Sequence, residues 1–234
     1  GAAVALTYSA SPDRAAQVVA EIETAGGRAL AIEADAGDPA AVRAAVTQTV
    51  AAFGCIDILV NNSGVSTTQR LLDVQPDDFD FIFDTNVRGA FFVAQEVGKR
   101  MVARSRGTAP GTFAGGRIIN IASQLGTVTD ANASLYGLSK AAVIYLTRAM
   151  AVELAGSGVI VNAVSPGTTA TDFILQTVSG ERLTSRLAKI PVGRLAQPEE
   201  IAGPVLFLLS SAAVIVANFG ADLLYGYLDP RVSD

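Results

Sequence analysis

The sequence predicts an α/β fold, a parallel sheet with helices on both faces, and two observations carry that reading. Short apolar or β-branched runs alternate with longer segments of helical period along most of the 234 residues, the order that builds parallel strands joined by crossover helices. Polar residues able to do chemistry stand where those runs end, and in such folds ligands sit at the carboxyl ends of the strands.

Taken in order, Val4 to Thr7 is a short strand. Ser11-Pro12-Asp13 has an N-cap and a proline at the first helical position, opening a helix that reaches Ala25 and stops at Gly26-Gly27. Ala29 to Ile32 is a second strand. Asp38-Pro39 opens the next helix, Ala40 to Phe53, and Gly54 ends it. Ile56 to Val60 is a third strand, running into Asn61-Asn62-Ser63-Gly64. A long helix is expected from Pro76 to about Arg104, with Phe79, Phe83, Val87, Phe91, Ala94, Val97 and Met101 at spacings of three and four. Ser105 to Gly116 is rich in Gly, Pro and Ala and reads as a surface connection. The run Ile118, Ile119, Ile121 then ends at Ser123, and a helical pattern opens with Tyr136 and Lys140. A further strand, Val159 to Val164, ends in Ser165-Pro166-Gly167.

Composition bounds the function. Half of the residues are apolar and 17% are charged, which predicts a well-buried globular chain, a single domain over residues 1–234. The net charge of −5 gives no electrostatic footprint for nucleic acid or anionic membrane. There is no histidine and one cysteine. That removes Ser-His-Asp and Cys-His nucleophiles and ordinary zinc sites, and it predicts a reducing, cytoplasmic setting without a disulfide framework. Gly1 to Tyr8 carries no signal-peptide pattern. Ile201 to Phe219 comes nearest to a membrane span, but Pro204, Ser210, Ser211 and Asn218 make it a buried helix running into a loop and strand.

Without histidine, an acid and base must come from elsewhere. Tyr136 and Lys140 are four residues apart and share one helix face. A phenol titrates near ~10, and a neighbouring ammonium favours the phenolate. Ser123, leaving its strand toward the same place, would hold a substrate oxygen beside that phenol. The plain alternative is a surface tyrosine and a solvated lysine that happen to share a face.

The companion signals decide between these. Asp35 stands in an acidic position after a strand, Asn62-Ser63-Gly64 where N-A-G is usual, and Asn86 lies in TNVRGAFF. Ser123 precedes Tyr136 by thirteen residues, Y-G-L-S-K follows, Pro166-Gly167 leads to Thr171, and RLAQPEEIAGPVLFLLSS closes the pattern. On these residues the chain resembles the short-chain dehydrogenase/reductase family over almost its whole length, in particular 3-oxoacyl carrier-protein reductase-like members.

The resemblance implies a Rossmann-like doubly wound parallel sheet. It also implies an NAD(P)(H)-dependent oxidoreductase that interconverts a ketone and a secondary alcohol, the partner being a small carbonyl or alcohol substrate. Tyr136 would give the proton to the carbonyl oxygen and Ser123 would orient that oxygen. Lys140 would depress the phenol's pKa and hold the nicotinamide ribose. Asn86 would anchor a water joining Lys140 to solvent, or else bond a helix carbonyl. Asp35, with Ala36, would meet the adenine, or be a plain loop carboxylate. Asn62, Ser63, Gly64, Pro166 and Gly167 would line the cofactor. Thr169 and Thr171 would reach its carboxamide and phosphates, or cap a helix after Asp172.

At the end of the first strand an acidic residue would repel a 2′-phosphate. Here Tyr8, Ser9 and Ser11 are hydroxyl-bearing and no carboxylate follows before Asp13, so NADP(H) is preferred over NAD(H). Ala141 to Leu154 is apolar on more than one face, as is the region of Phe91, Phe92 and Val93, which predicts a homo-oligomer, a dimer or tetramer. Gln124, Leu125, Asn132 and a lid over residues 171–197 would line the substrate pocket.

Two departures from the family pattern stand out. The family opens with a strand, a glycine-rich turn and a helix, whereas no G-x-G-x-x-G occurs here and Gly1-Ala2-Ala3-Val4 already reads as the entry to the family's second strand. The strand concerned is central, so two others would lose ladder partners and expose apolar surface. The expectation is an N-terminal segment before Gly1 in the natural protein, and weak or absent cofactor binding without it. At the other end, Gly220 to Gly226 resembles the family's last strand but runs into Tyr227-Leu228 in place of an acidic-Gly-Gly finish. Two other functions fit the same frame, a catalytically silent binding or regulatory subunit and a dehalogenase-like lyase. Lys140 argues against the lyase, in which Arg stands at that position.

Overall fold

The structure, a computed structural model, describes residues 1–108, 115–171, 174–175 and 180–210. The chain divides into two units, Gly1–Ser165 and Pro166–Asp234, described here in turn.

In the first unit, strands and helices alternate as the sequence predicts: β1 (Ala3–Tyr8), α1 (Pro12–Thr24), β2 (Arg28–Glu33), α2 (Pro39–Phe53), β3 (Ile58–Asn61), α3 (Pro76–Phe83), α4 (Ala90–Arg106), β4 (Gly116–Ile121), α5 (Ser134–Leu154) and β5 (Val159–Val164). Every ladder is parallel, with Ala3 opposite Arg28, Ile58 opposite Arg117 and Gly116 opposite Val159. The strands form two sheets, β1-β2 and β3-β4-β5. Among the described residues, β1 and β3 therefore each keep one ladder partner. Val4, Ile58 and Val60 on these strands are exposed. Helix α2 ties the two sheets together, packing on β1 and β2 and also on α4.

Local chemistry explains the helix ends. The Asp38 carboxylate accepts from the Ala40 amide at 2.8 Å and caps α2, and Gly54 ends it with φ of 83°. Ser11 makes no side-chain cap bond, so α1 begins on Pro12 alone. Strand β3 starts two residues later than its apolar run, although the Asp57 carbonyl still accepts from the Arg117 amide at 2.9 Å.

The one long helix expected from Pro76 is interrupted. Helix α3 passes into a π-turn, Asp84–Gly89, before α4 begins. A π-turn adds a residue to the helical repeat, and the spacing rule that carried Phe83 to Val87 cannot register that. Its effect is to bury Asn86, which is 1% exposed. Gly89 ends the turn because a Cβ there would lie 2.6 Å from the Ala36 carbonyl oxygen.

The main core joins Val46 of α2, Ala94, Val97 and Met101 of α4, Ile118 of β4, and Val159 and Val161 of β5. A smaller cluster, Ile32, Ala34 and Ala45, seats α2 on the first sheet. The site residues of this unit hang from the strand ends above that framework.

In the second unit, α6 (Gly180–Ala188) and α7 (Pro198–Leu209) are described. Gln197 and Glu200 form a capping box at the start of α7. Glu200 also takes both terminal nitrogens of Arg194, at 2.7 and 2.9 Å. Of the expected lid, α6 and the turn to Gln197 are described, while residues 172–173 and 176–179 lie outside the described residues. So do the expected last strand, the end of the apolar stretch beyond Ser210, and residues 109–114 of the connection before β4. Among the described residues, no helix is long and apolar enough to cross a membrane.

Candidate active site

The site is built on an arch from β4 to α5. Ser123 follows the strand in extended conformation, and a 3₁₀ turn, Gln124–Gly126, carries the chain back. The turn packs directly on the helix backbone. A Cβ on Gly126 would lie 2.8 Å from the Lys140 carbonyl carbon and 2.9 Å from the Ala141 nitrogen, and one on Gly137 would lie 2.8 Å from the Leu125 oxygen. These two glycines allow the approach that brings Ser123 toward Tyr136, close enough for the serine side chain to favour the phenolate. Ser123 also accepts from the Leu125 amide at 3.2 Å.

Burial pushes the Tyr136 phenol above its ordinary value, and the Ser123 hydrogen bond opposes that rise by favouring the phenolate. The sequence reading assigned the lowering to Lys140. In the structure the Lys140 nitrogen lies 5.8 Å from the tyrosine ring centroid. It donates to the Ile121 carbonyl at 2.8 Å, and Lys140 is 4% exposed. Its own pKa is lowered to about 8 by burial. Lys140 is thus no solvated surface lysine, and the plain alternative for the pair is excluded.

Asn86 sits behind this pair. Its Nδ2 donates to the Val65 carbonyl at 2.9 Å and to the Ser139 hydroxyl at 3.0 Å, and its Oδ1 accepts from the Val65 amide at 2.8 Å. Ser139 in turn donates to the Tyr136 carbonyl at 2.7 Å. Asn86 therefore pins the loop after β3 to the start of α5, instead of bonding a carbonyl of its own helix. That loop carries Asn62, Ser63 and Gly64, all exposed. A Cβ on Gly64 would lie 3.3 Å from the Lys140 nitrogen and 3.4 Å from the Asn86 Oδ1, so the glycine lets the loop approach both side chains closely.

The β1-β2 ladder gathers the residues expected at the adenine end. Tyr8 pairs with Glu33, and its carbonyl accepts from the Ala34 amide at 2.8 Å. Asp35 is exposed and accepts from the Gly37 amide at 2.8 Å through Oδ1, an Asx turn at the end of the strand. Ala36 abuts Gly89 at the end of the π-turn, and Ser9 and Ser11 are exposed beside α1.

Pro166, Gly167, Thr169 and Thr171 belong to the second unit. Thr169 bridges to Ala196 and its hydroxyl turns back to the Gly167 carbonyl at 3.3 Å. The Thr171 carbonyl accepts from the Leu175 amide at 2.9 Å. Of the expected pocket residues, Leu125 lines a cavity of ≈ 200 Å³ with Gly126, Val128, Asp130, Gly137 and Leu138. Gln124 and Asn132 do not line it. Asn132 adopts the left-handed region, φ of 62°, which asparagine tolerates, and its carbonyl accepts from the Gln69 amide at 3.0 Å.

Asn120 and Thr147 escaped the sequence reading, while Asn61 and Ser139 entered it only inside longer motifs. Each is a polar residue within an apolar run, a signal that marks them as anomalous without saying what they touch.

The arrangement sets two hydroxyls, of Ser123 and Tyr136, beside a buried ammonium, and the chain that carries it has relatives. The family model described as "Enoyl-(Acyl carrier protein) reductase" matches residues 1–220. A 3-oxoacyl-(acyl-carrier-protein) reductase of Staphylococcus aureus is 35% identical over 215 residues, 92% of this chain and 83% of the relative. An L-rhamnose 1-dehydrogenase (NAD(P)(+)) of Azotobacter vinelandii is 36% identical over 231 residues, 96% of this chain and 85% of the relative. The crystal structure of a short-chain dehydrogenase from Burkholderia cenocepacia in complex with NADP superposes with a TM-score of 0.80 at 37% identity, covering 91% of this chain and 82% of that one. Fold, relatives and strand-end residues agree, and the chain belongs to the short-chain dehydrogenase/reductase family, whose members are NAD(P)-dependent oxidoreductases.

Proposed function

We propose that this chain reduces a ketone to a secondary alcohol, or runs the reverse oxidation, with NADP(H) preferred over NAD(H). The observation that carries the reading is the buried Ser123 beside the Tyr136 phenol, with Lys140 buried on the same helix.

A nicotinamide coenzyme supplies the hydride when bound. Ser123 donates to the carbonyl oxygen and holds it beside the phenol. Tyr136 passes its proton to that oxygen as the alcohol forms and takes it back in the reverse direction. Lys140, charged below about 8, stabilises the phenolate that remains. Gly64, close against Lys140 and Asn86, would lie beside the ribose next to the nicotinamide. At the other end Tyr8, Ser9, Ser11, Asp35 and Ala36 would meet the adenosine. The 2′-phosphate preference rests on the hydroxyl-bearing end of β1, and the NADP in the Burkholderia cenocepacia relative supports it. Tyr8 and Glu33 are backbone neighbours, so that carboxylate is the group against which the preference has to be tested.

The assay follows absorbance at 340 nm with NADPH or NADH against a panel of 3-oxoacyl thioesters, sugar lactones and simple ketones. Tyr136→Phe removes the proton donor, and turnover is expected to fall by at least roughly a hundredfold. Full activity in this variant would sink the mechanism, and a clear preference for NADH would reverse the coenzyme assignment. A catalytically silent role has one observation in its favour, that no G-x-G-x-x-G occurs in the sequence to cradle a pyrophosphate. Coenzyme binding measured by NADPH fluorescence separates the two readings.

A homo-oligomer is also proposed. Leu138, Tyr145 and Val152 follow one another at intervals of seven on α5 and are 55%, 72% and 82% exposed, an apolar stripe on one helix face. The single cysteine, Cys55, is free and accords with a cytoplasmic setting.

A further inference from the structure

We propose that Asn120 and Thr147, linked to Asn61, are positioning residues that hold Ser123 and Tyr136 in register through one buried hydrogen-bond chain. The proposal rests on the carbonyl-reductase reading of the site.

The chain of bonds is continuous. Asn61 Nδ2 donates to the Ala90 carbonyl at 3.1 Å and to Asn120 Oδ1 at 2.9 Å. Asn120 Nδ2 donates to Thr147 Oγ1 at 2.9 Å, and that hydroxyl donates to the Val143 carbonyl at 2.8 Å. Asn120 is fully buried and Thr147 nearly so. From Asn61 to the Val143 carbonyl the bonds run in one direction, Asn120 and Thr147 each both accepting and giving, so they polarise one another.

The four elements joined are those that carry the proton-transfer site. Asn61 is the last residue of β3, which leads to Gly64. Ala90 opens α4, immediately after the π-turn that holds Asn86. Asn120 lies three residues before Ser123 on the same run of chain, and Thr147 lies two helical turns beyond Lys140 on the same face of α5. The Asn120–Thr147 bond is therefore a strut between the strand that delivers Ser123 and the helix that delivers Tyr136.

An isoleucine and a valine at these positions would satisfy packing, as Ile118 and Val143 do nearby. Apolar contact tolerates sliding of a helix along a strand, whereas a hydrogen bond fixes distance and direction within tenths of an ångström. A slide of about 1 Å is enough to separate a hydroxyl pair and cost a reaction heavily.

The test reads the phenol directly in the intact chain, with no coenzyme needed. Tyrosine labelled with carbon-13 at the ring carbon bearing oxygen gives five signals at most, and loss in Tyr136→Phe assigns the one of interest. Thr147→Val exchanges a hydroxyl for a methyl. Moving Ser123 away from the phenol should raise the Tyr136 titration midpoint, since the serine side chain favours the phenolate. It should also lower kcat roughly tenfold with the KM for the ketone unchanged, and Thr147→Ser should restore both. Should Thr147→Val fail to fold, Thr147→Ala is read in the same way. A lower melting temperature with Tyr136 titrating as in the parent overturns the proposal, whatever the activity. A parent chain without turnover on either coenzyme instead sinks the reading of function, and the titration still judges the strut.

Discussion

Lys140 is held charged where its charge is costly, so replacing it should stabilise the protein while abolishing its chemistry. Burial brings its pKa to about 8, against ~10.4 in an unfolded chain. At neutral pH both states carry the proton, and the folded state bears the whole penalty, about 3 kcal/mol by linkage. Methionine has a similar length and no charge. It also forfeits the bond to the Ile121 carbonyl, which offsets about 1.5 kcal/mol. Lys140→Met is therefore expected to be more stable than the parent at pH 7 by about 1–2 kcal/mol. The advantage must depend on pH. Between about 8 and ~10.4 the folded lysine is neutral and the unfolded one is protonated, so the parent's stability rises by about 1.4 kcal/mol per pH unit relative to the variant. Above that window the retained hydrogen bond favours the parent. Urea denaturation of both proteins from pH 6.5 to 10.5 measures the difference. A variant less stable than the parent at pH 7, or a difference that does not change across the window, would refute the reasoning.

Three further outcomes are expected. Gly126→Ala drives a methyl against the backbone of Lys140 and Ala141; urea denaturation should show a loss of about 1–3 kcal/mol, and turnover should fall further than in a surface variant of equal stability. The Glu200 carboxyl is pulled down to about 2, chiefly by its hydrogen bond from Arg194 and then by the Gln197 amide. Its contribution is therefore complete above the ordinary carboxylate range of ~4.3 and is lost as the pH falls toward 2. Glu200→Gln should be less stable than the parent at pH 6 by thermal denaturation, and the two should converge near pH 2. Tyr145→Asp places a charge in the middle of the exposed stripe of α5; light scattering after gel filtration should show a smaller species than the parent, and an unchanged mass would remove that stripe as the interface.

Strands and helices were legible because each of them buries a simple pattern. The run Ile118, Ile119, Ile121 could only be a strand in the core, and the two proline-led starts at Pro12 and Pro39 gave helix positions to within a residue. Ser123, Tyr136 and Lys140 were legible for a different reason, that a chain without histidine leaves few groups able to move a proton. What escaped was whatever depends on a neighbour distant in sequence. The π-turn at Asp84–Gly89 follows no local rule: its Asn86 is drawn inward by Val65 and Ser139, and neither partner is marked beforehand. Where the Lys140 ammonium sits was hidden on the same ground. Spacing shows that two side chains share a face, but not that one of them will spend its charge on the Ile121 carbonyl.

The same distinction explains how the two ends of the site differ. Around Tyr136 every support is a contact within one strand-turn-helix arch or between elements that the β3-β4-β5 sheet already holds side by side. Gly126 and Gly137 close the arch, Asn86 and Ser139 brace it from behind, and Lys140 is seated on the last carbonyl of β4. Geometry fixed by such short-range contacts does not require the β1-β2 sheet. The residues expected around adenosine sit at the ends of the β1-β2 sheet, which reaches the other sheet through α2 and the packing of Ala36 on Gly89. Tyr136 and its partners should accordingly hold their geometry under conditions that loosen β1 and β2. In hydrogen exchange, the amides of β4 and α5 should outlast those of β1 and β2 by at least roughly tenfold, since slow exchange follows local stability. Equal protection in the two sheets would mean that the site is supported by the whole unit and not by its own arch.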